Sequence, residues 1–301
     1  MITATQTIHL GHSPDADDAF MFYALATGKI ETGELAYEHV LQDIQTLNEW
    51  ALEGRLETTA LSVHAYAYVA DRYGILSHGA SMGEREYGPL VVIPWKKGRS
   101  SQKLGAPAAA LESVEDAVRY LTGKRVAVPG KMTSAYLALR LCVSDFEAVC
   151  MPFKEVEQAV LQGEVAAGLL IHEGQLTHTR LGLRSILNLG NWWHTYSGGL
   201  PLPLGVNGVR LDLGASLQST LSTHLKASVE YAVQHHEDAL TYAMQYARGM
   251  DRALVDRFVR WYVNRRTVNM GPQGQQSIKL FLEEAFKRQL IPALPEIRFI
   301  Q

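Results

Sequence analysis

Val165 to Ile171 narrows the choice of folds more than any other stretch of this chain. The run is short, almost wholly apolar and without polar alternation, so it reads as a strand covered on both faces. Val156 to Leu161 before it has a helical pattern, and Gly163 suits the residue just past a helix end. Helix, stop and doubly buried strand are the makings of an α/β protein, which places its chemistry where strands end. His172 is the first side chain able to carry a proton after that strand, and Gly174 offers a sharp turn beside it. Two readings stand: a hydrogen-bonded histidine at the edge of a core, or a base at a strand end.

Composition sets the outer bounds. With 301 residues, 47% hydrophobic and 20% charged, the chain has material for one large or two medium domains. Lys and Arg total 28 against 31 Asp and Glu, a formal charge of −3. No field of one sign favours nucleic acid or an anionic membrane, which leaves a small molecule as the expected partner. Cys142 and Cys150 are too few for a disulfide framework or a zinc site, and their apolar neighbours predict reduced, buried thiols. Met1 to Thr7 lacks the basic and apolar regions of a secretory signal, and no run approaches membrane-spanning length, so the expectation is a soluble cytoplasmic protein. Lys96 to Ala110, rich in Lys, Gly, Ser and Ala, reads as a surface connection between lobes.

Along the chain, Ile8 to His12 forms a first strand that stops at Ser13-Pro14-Asp15-Ala16-Asp17-Asp18. Ser13 is expected as helix N-cap and Pro14 as first helical residue, with the three acids complementing the helix dipole. The alternative is a ligand-facing turn presenting Ser13 and backbone N–H groups. Metal binding is disfavoured because adjacent acids in one turn should diverge and no His or Cys joins them at ligand spacing. Thr46 to Leu52 reads as helix, Gly54 as its stop, and Thr58 to Val63 as a strand leading to His64.

That order weakly repeats the later one. Glu53-Gly54, strand, His64, helix stands against Gln162-Gly163, strand, His172, helix, with a slip of one residue at the histidines. Each copy precedes a Pro-containing apolar run, Gly88 to Ile93 and Leu200 to Gly205, expected as strands near the crossings between two lobes. Lys124 to Gly130 reads as strand and turn, and Thr133-Ser134 opens the helical Ala135 to Leu141. Those hydroxyls cap the helix or, with its free N–H groups, cradle a carboxylate. Asn191 to His194 forms an aromatic loop, expected as core or as a roof over a ring. After Gly205 and a short strand the chain turns helical, with apolar stripes such as Ile278, Phe281, Leu282 and Ala285.

Taken together, these segments resemble the 1,4-dihydroxy-6-naphthoate synthase family of futalosine-pathway menaquinone biosynthesis. The likeness rests on His12 to Tyr23, Ala60 to Tyr66, Tyr87 to Val92, Val128-Pro129-Gly130 with Thr133 to Tyr136, Gly163 to Glu173, Asn188-Leu189-Gly190 with Trp192-Trp193, Gly199 to Gly205, and Tyr262-Val263-Asn264. The entry motif departs from the family, many of whose members carry Cys-Pro-Asn-Asp-Thr where this chain has Asp15-Ala16-Asp17-Asp18-Ala19.

The resemblance implies an α/β, two-lobed fold like the type II periplasmic binding proteins, with two chain crossings and an interlobe cleft. The expected lobes are 1–94 with 205–301, and 95–204. It implies conversion of cyclic dehypoxanthinyl futalosine to 1,4-dihydroxy-6-naphthoate, a lyase reaction without metal or organic cofactor. By the same resemblance His172 is the proton acceptor, and Ala60, Leu61, Ser62, Thr133 and Ser134 bind a small carboxylate substrate, to which Ser13 is added from its place at the strand-to-helix turn. Nucleic acid and membrane partners are not expected, and a homodimer is left open. The alternatives are a small-carboxylate solute-binding protein and chorismate dehydratase, the sister activity on the same fold.

Overall fold

The computed structural model describes residues 6–95, 111 and 113–301, so the connection expected at Lys96 to Ala110 lies outside the described residues. The first lobe begins with strand β1 (Gln6–His12), helices α1 (Ala16–Met21) and α2 (Tyr23–Ala26), β2 (Leu35–Leu41) and α3 (Ile44–Glu53). It continues through β3 (Thr58–Ser62), α4 (Val63–Tyr66), β4 (Tyr73–Leu76) and β5 (Ser81–Gly83). The chain then crosses into β6 (Leu90–Pro94), α5 (Val114–Leu121), β7 (Arg125–Val128), α6 (Ser134–Cys142) and β8 (Glu147–Cys150). There follow α7 (Val156–Gln162), β9 (Ala167–Leu170), α8 (Gly174–Thr177), β10 (Leu183–Asn188) and α9 (Leu189–Tyr196). A second crossing enters β11 (Leu202–Arg210), after which come α10 (Ala215–Gln234), α11 (His236–Ala243), α12 (Arg252–Tyr262), α13 (Arg265–Val268), α14 (Gly271–Lys287) and β12 (Phe299–Ile300).

Among the described residues the strands form two sheets, a seven-stranded one in the order β12-β4-β11-β3-β1-β2 with β5 beside β11, and a five-stranded one in the order β10-β6-β9-β7-β8. The expected α/β, two-lobed architecture is the one found. Each sheet is built around the strand that ends near a histidine. β3 runs parallel to β1 and antiparallel to β11, while β9 runs parallel to β7 and antiparallel to β6. The antiparallel neighbour is in each case the strand that has just crossed from the other lobe, so both crossings lie beside the two central strands. By hydrogen bonding, Leu90–Pro94 belongs to the five-stranded sheet and Leu202–Arg210 to the seven-stranded one. The exchange therefore falls at 84–89 and 197–201, a few residues ahead of the expected 94/95 and 204/205. Linker-like composition follows β6 and so places the boundary after a strand that has already changed sheets.

Helix ends follow the residues. Gly54 and Gly163 close α3 and α7 in the left-handed region, at φ 68° and 77°. Thr133 caps α6 by accepting the Tyr136 N–H at 3.2 Å. Four expectations change. Asp15, not Ser13, is the N-cap of α1, accepting the Asp18 N–H at 3.4 Å. The aromatic segment is helix α9 rather than a loop: Trp193 is fully buried, donates Nε1–H to Ser277 Oγ at 3.0 Å and meets Phe281 edge to face. The Pro run at 200–205 opens a long strand, Leu202–Arg210, rather than preceding a short one. Cys150 is exposed, on edge strand β8. No helix of the described residues is long and apolar enough to cross a membrane.

Candidate active site

Between the lobes lies a cleft of about 640 Å³, lined from the first lobe by Ser13, Asp17, Asp18, Ala60, Ser62, Ser81, Phe258 and Tyr262. The second lobe contributes Thr133, Ser134, Ala135, Ile171, His172 and Gln175, while Pro89 lies at the first crossing and Leu204 and Gly205 stand on β11. Six of the seven expected site residues thus share one cavity. The exception is Leu61. Successive side chains of a strand face opposite ways, so Ala60 and Ser62 reach the cleft while Leu61 is fully buried in the core behind β3.

His172 gets its position from an unusual backbone. It adopts φ 53°, a left-handed conformation that costs a residue bearing a Cβ roughly 1–2 kcal/mol. The sharp turn expected of Gly174 is therefore made by His172 itself, and Gly174 begins α8. This step carries the ring back across the cleft, where Nδ1 lies 3.0 Å from Asp15 Oδ2. A carboxylate accepts only, so Nδ1 holds a hydrogen, and in the neutral imidazole it is Nε2 that keeps a lone pair for the cleft. Burial would raise the Asp15 carboxyl, but His172, then a hydrogen bond from Asp17 and the charge of Arg248, outweigh it and hold that group below the usual carboxylate range. Phe153 meets the imidazole edge to face at 5.1 Å, and the Arg248 guanidinium lies 4.7 Å from the centre of the same phenyl ring. Arg248 also donates to Pro14 O at 2.7 Å and to Glu173 Oε2 at 3.2 Å, tying the His172 turn to the α1 turn. Deeper in, Tyr262 O–H donates to Gln175 Oε1 at 2.6 Å across the same divide.

The opposite wall is held by groups that sequence reasoning missed. Asn48 is fully buried on α3, and its Oδ1 accepts the Ser62 N–H while its Nδ2 donates to Ser62 Oγ, both at 2.9 Å. Its amide also reaches Met132 O at 3.5 Å, and Gln45 Oε1 accepts the Met132 N–H at 3.2 Å. A polar residue between buried Leu47 and Ala51 was the only signal of this role. Of the three expected hydroxyl ligands, Thr133 already donates to Gly130 O, and Ser134 donates to Leu204 O while accepting the His64 N–H. Ser62 accepts from Asn48 and still has a hydrogen to give. What Thr133-Ser134 offers a ligand is the start of α6, where the N–H groups of Ser134 and Ala135 have no partner within the helix.

Asp15, Asp17 and Asp18 do not diverge as expected. One oxygen of each lies within 4.8 Å of the other two, and all three side chains are buried. Asp18 Oδ2 accepts the Ser13 N–H at 2.7 Å. His64 lies outside the cleft: Nδ1 sits 3.3 Å from Thr133 O, and burial pulls its pKa down to about 4.

Two lobes joined by two crossings, with a ligand-sized cleft between them, define the binding-protein class of α/β folds. The alkanesulfonate-binding protein of Xanthomonas axonopodis pv. citri shares it at a TM-score of 0.66 and 15% identity, over 96% of each chain. A solved structure from Archaeoglobus fulgidus is nearer, with a TM-score of 0.84 and 44% identity over 95% of this chain and 98% of that one. A 1,4-dihydroxy-6-naphthoate synthase of Thermus thermophilus is 40% identical over 295 residues, 98% of this chain and 100% of the relative. The Streptomyces coelicolor protein of the same name is 34% identical over 297 residues, 97% of each. Residues 8–287 match the family described as menaquinone biosynthesis. The chain belongs to that family of biosynthetic enzymes.

Proposed function

We propose that this chain is a lyase of the futalosine pathway that converts cyclic dehypoxanthinyl futalosine to 1,4-dihydroxy-6-naphthoate in the cytoplasm, with His172 as general base. The observation that carries the reading is the Asp15–His172 pair across the cleft. Asp15 fixes the tautomer and leaves Nε2 free to take a hydroxyl proton from the substrate, then stabilises the imidazolium that forms. Opening of the cyclic substrate and loss of the sugar-derived fragment follow from that deprotonation. The substrate carboxylate fits the opposite wall, where the Ser134 and Ala135 N–H groups, the positive end of α6 and the remaining Ser62 hydrogen supply donors. Closure of the lobes over the bound substrate would keep water from the reacting centre.

Purified protein mixed with the cyclic substrate should generate naphthoate absorbance. Binding without product would favour a solute receptor, and consumption of chorismate in a parallel assay would favour the sister activity.

A further inference from the structure

Asp15 and His172 belong to different lobes, so their pairing depends on how the lobes are held, and one further residue grips both. Arg248 stands in the turn ahead of α12, which buried Ala247 and Met250 anchor in the core of the first lobe. Its backbone takes a left-handed step at φ 48°, followed by Gly249 at φ 85°. That conformation is unfavourable for a residue bearing a Cβ, and His172 on the facing lobe carries the same strain. The Arg248 side chain is only 17% exposed. Nη2 donates to Pro14 O at 2.7 Å, one residue before Asp15, and Nη1 donates to Glu173 Oε2 at 3.2 Å, one residue after His172. The guanidinium carbon lies 4.7 Å from the centre of Phe153, the ring that meets the His172 imidazole.

The receiving lobe is short of positive charge. Glu173 has no other ion pair among the described residues. Glu157 on α7 has a buried Oε1 without a partner, and burial and then the Glu173 charge push its carboxyl up. With Arg248 withdrawn, the two glutamates would face each other as like charges. A second contact between the same segments, Arg180 to Asp251 at 3.8 Å, has both side chains more than half exposed and adds little.

We propose that Arg248 is a positioning residue for the reaction: its hold on Pro14 and Glu173 draws together the backbones that flank Asp15 and His172, so the base is assembled only when the lobes close. The inference rests on the general-base reading above and adds a switch to it. With the lobes apart, His172 lacks the carboxylate that sets its tautomer, and the cleft is open for substrate entry and product release. The task suits a guanidinium, whose planar fork meets two acceptors at once; a lysine ammonium on the same backbone is a single point of charge.

Proton NMR reads the clamp without turnover. A hydrogen held between an imidazole Nδ1 and a carboxylate resonates far downfield, and its absence from His172→Gln identifies the signal. The wild type, free or saturated with 1,4-dihydroxy-6-naphthoate, should show it, and Arg248→Met with an unchanged melting transition should not. Kinetics give the second arm. Arg248→Met should lower kcat about 10- to 100-fold, the range for a misplaced catalytic group, with a smaller change in KM. Adding Glu173→Gln to that variant should recover part of the loss by removing the stranded charge. Arg248→Lys should stay impaired, and millimolar guanidinium chloride should speed Arg248→Ala severalfold over sodium chloride at equal ionic strength. A downfield signal that is missing from the wild type or persists in Arg248→Met, a raised KM with kcat unchanged, wild-type turnover by Arg248→Lys, or indifference to guanidinium would overturn the proposal. A signal lost in Arg248→Met, in a protein whose wild type forms no naphthoate, would instead remove the synthase reading and leave the clamp in place.

Discussion

His64 and His172 follow the same local order, a helix closed by a left-handed glycine and then a short central strand, yet they meet different fates. After β3 the chain runs directly into α4, and His64 becomes an early helical residue packed toward Thr133 and Tyr136. After β9 the backbone takes a left-handed step at His172, and the ring swings to Asp15 in the other lobe. The one-residue slip lies within the strands, five residues in β3 against four in β9, and each histidine stands two residues past its strand end, so it is the backbone after the strand that separates them. A strand end supplies a place for a base, and the partner across the cleft makes it one.

The sharpest way to break this contrast is to remove each imidazole. His172→Ala should lower kcat by about 10² to 10⁴, the usual contribution of a general base, while His64→Ala should cost less than about tenfold. Equal losses in steady-state turnover would erase the distinction. Asp15→Asn follows in size: an amide in place of the carboxylate loses both the tautomer control and the charge that supports the imidazolium, and kcat should fall about 10²-fold with a smaller change in KM. Asn48→Ala tests the other wall. It strands the Ser62 N–H and should lower unfolding free energy by about 1–3 kcal/mol in denaturant titration, and raise KM through Ser62.

The smallest effect is a pH dependence of stability. His64 is held neutral with a pKa of about 4, below the ordinary histidine value near 6.5. The unfolded chain therefore binds the extra proton first, so this contribution is fully present above about pH 6.5 and is lost as the pH falls toward the folded value. His12, pulled by burial and by His39 to about 3, acts in the same direction. Melting temperature should drop across that interval, and His64→Leu should flatten part of the slope.

Much of this was legible in the residues. The glycine stops, the short apolar strands and the helix start at Thr133-Ser134 follow from local stereochemistry and appear where expected. The cap of α1 was not, because Ser13, Asp15 and the acids after it are all good capping types and the choice depends on which side chain the fold turns inward. Trp192-Trp193 looked like a loop because aromatic residues are indifferent helix formers, and packing of Trp193 on Phe281 decides the matter. The pairing of Asp15 with His172, the reach of Arg248 to Glu173 and the Tyr262–Gln175 hydrogen bond join segments far apart in the chain, so no local pattern carries them. Asn48 left only a faint trace, a polar side chain on a buried helical stripe.

Rescue of His172→Ala by added imidazole, followed as naphthoate formed from cyclic dehypoxanthinyl futalosine, tests the central claim most directly. The account predicts a slow variant whose turnover rises with imidazole concentration, and rises much less when Asp15 is also replaced. Wild-type turnover by His172→Ala without imidazole would contradict it.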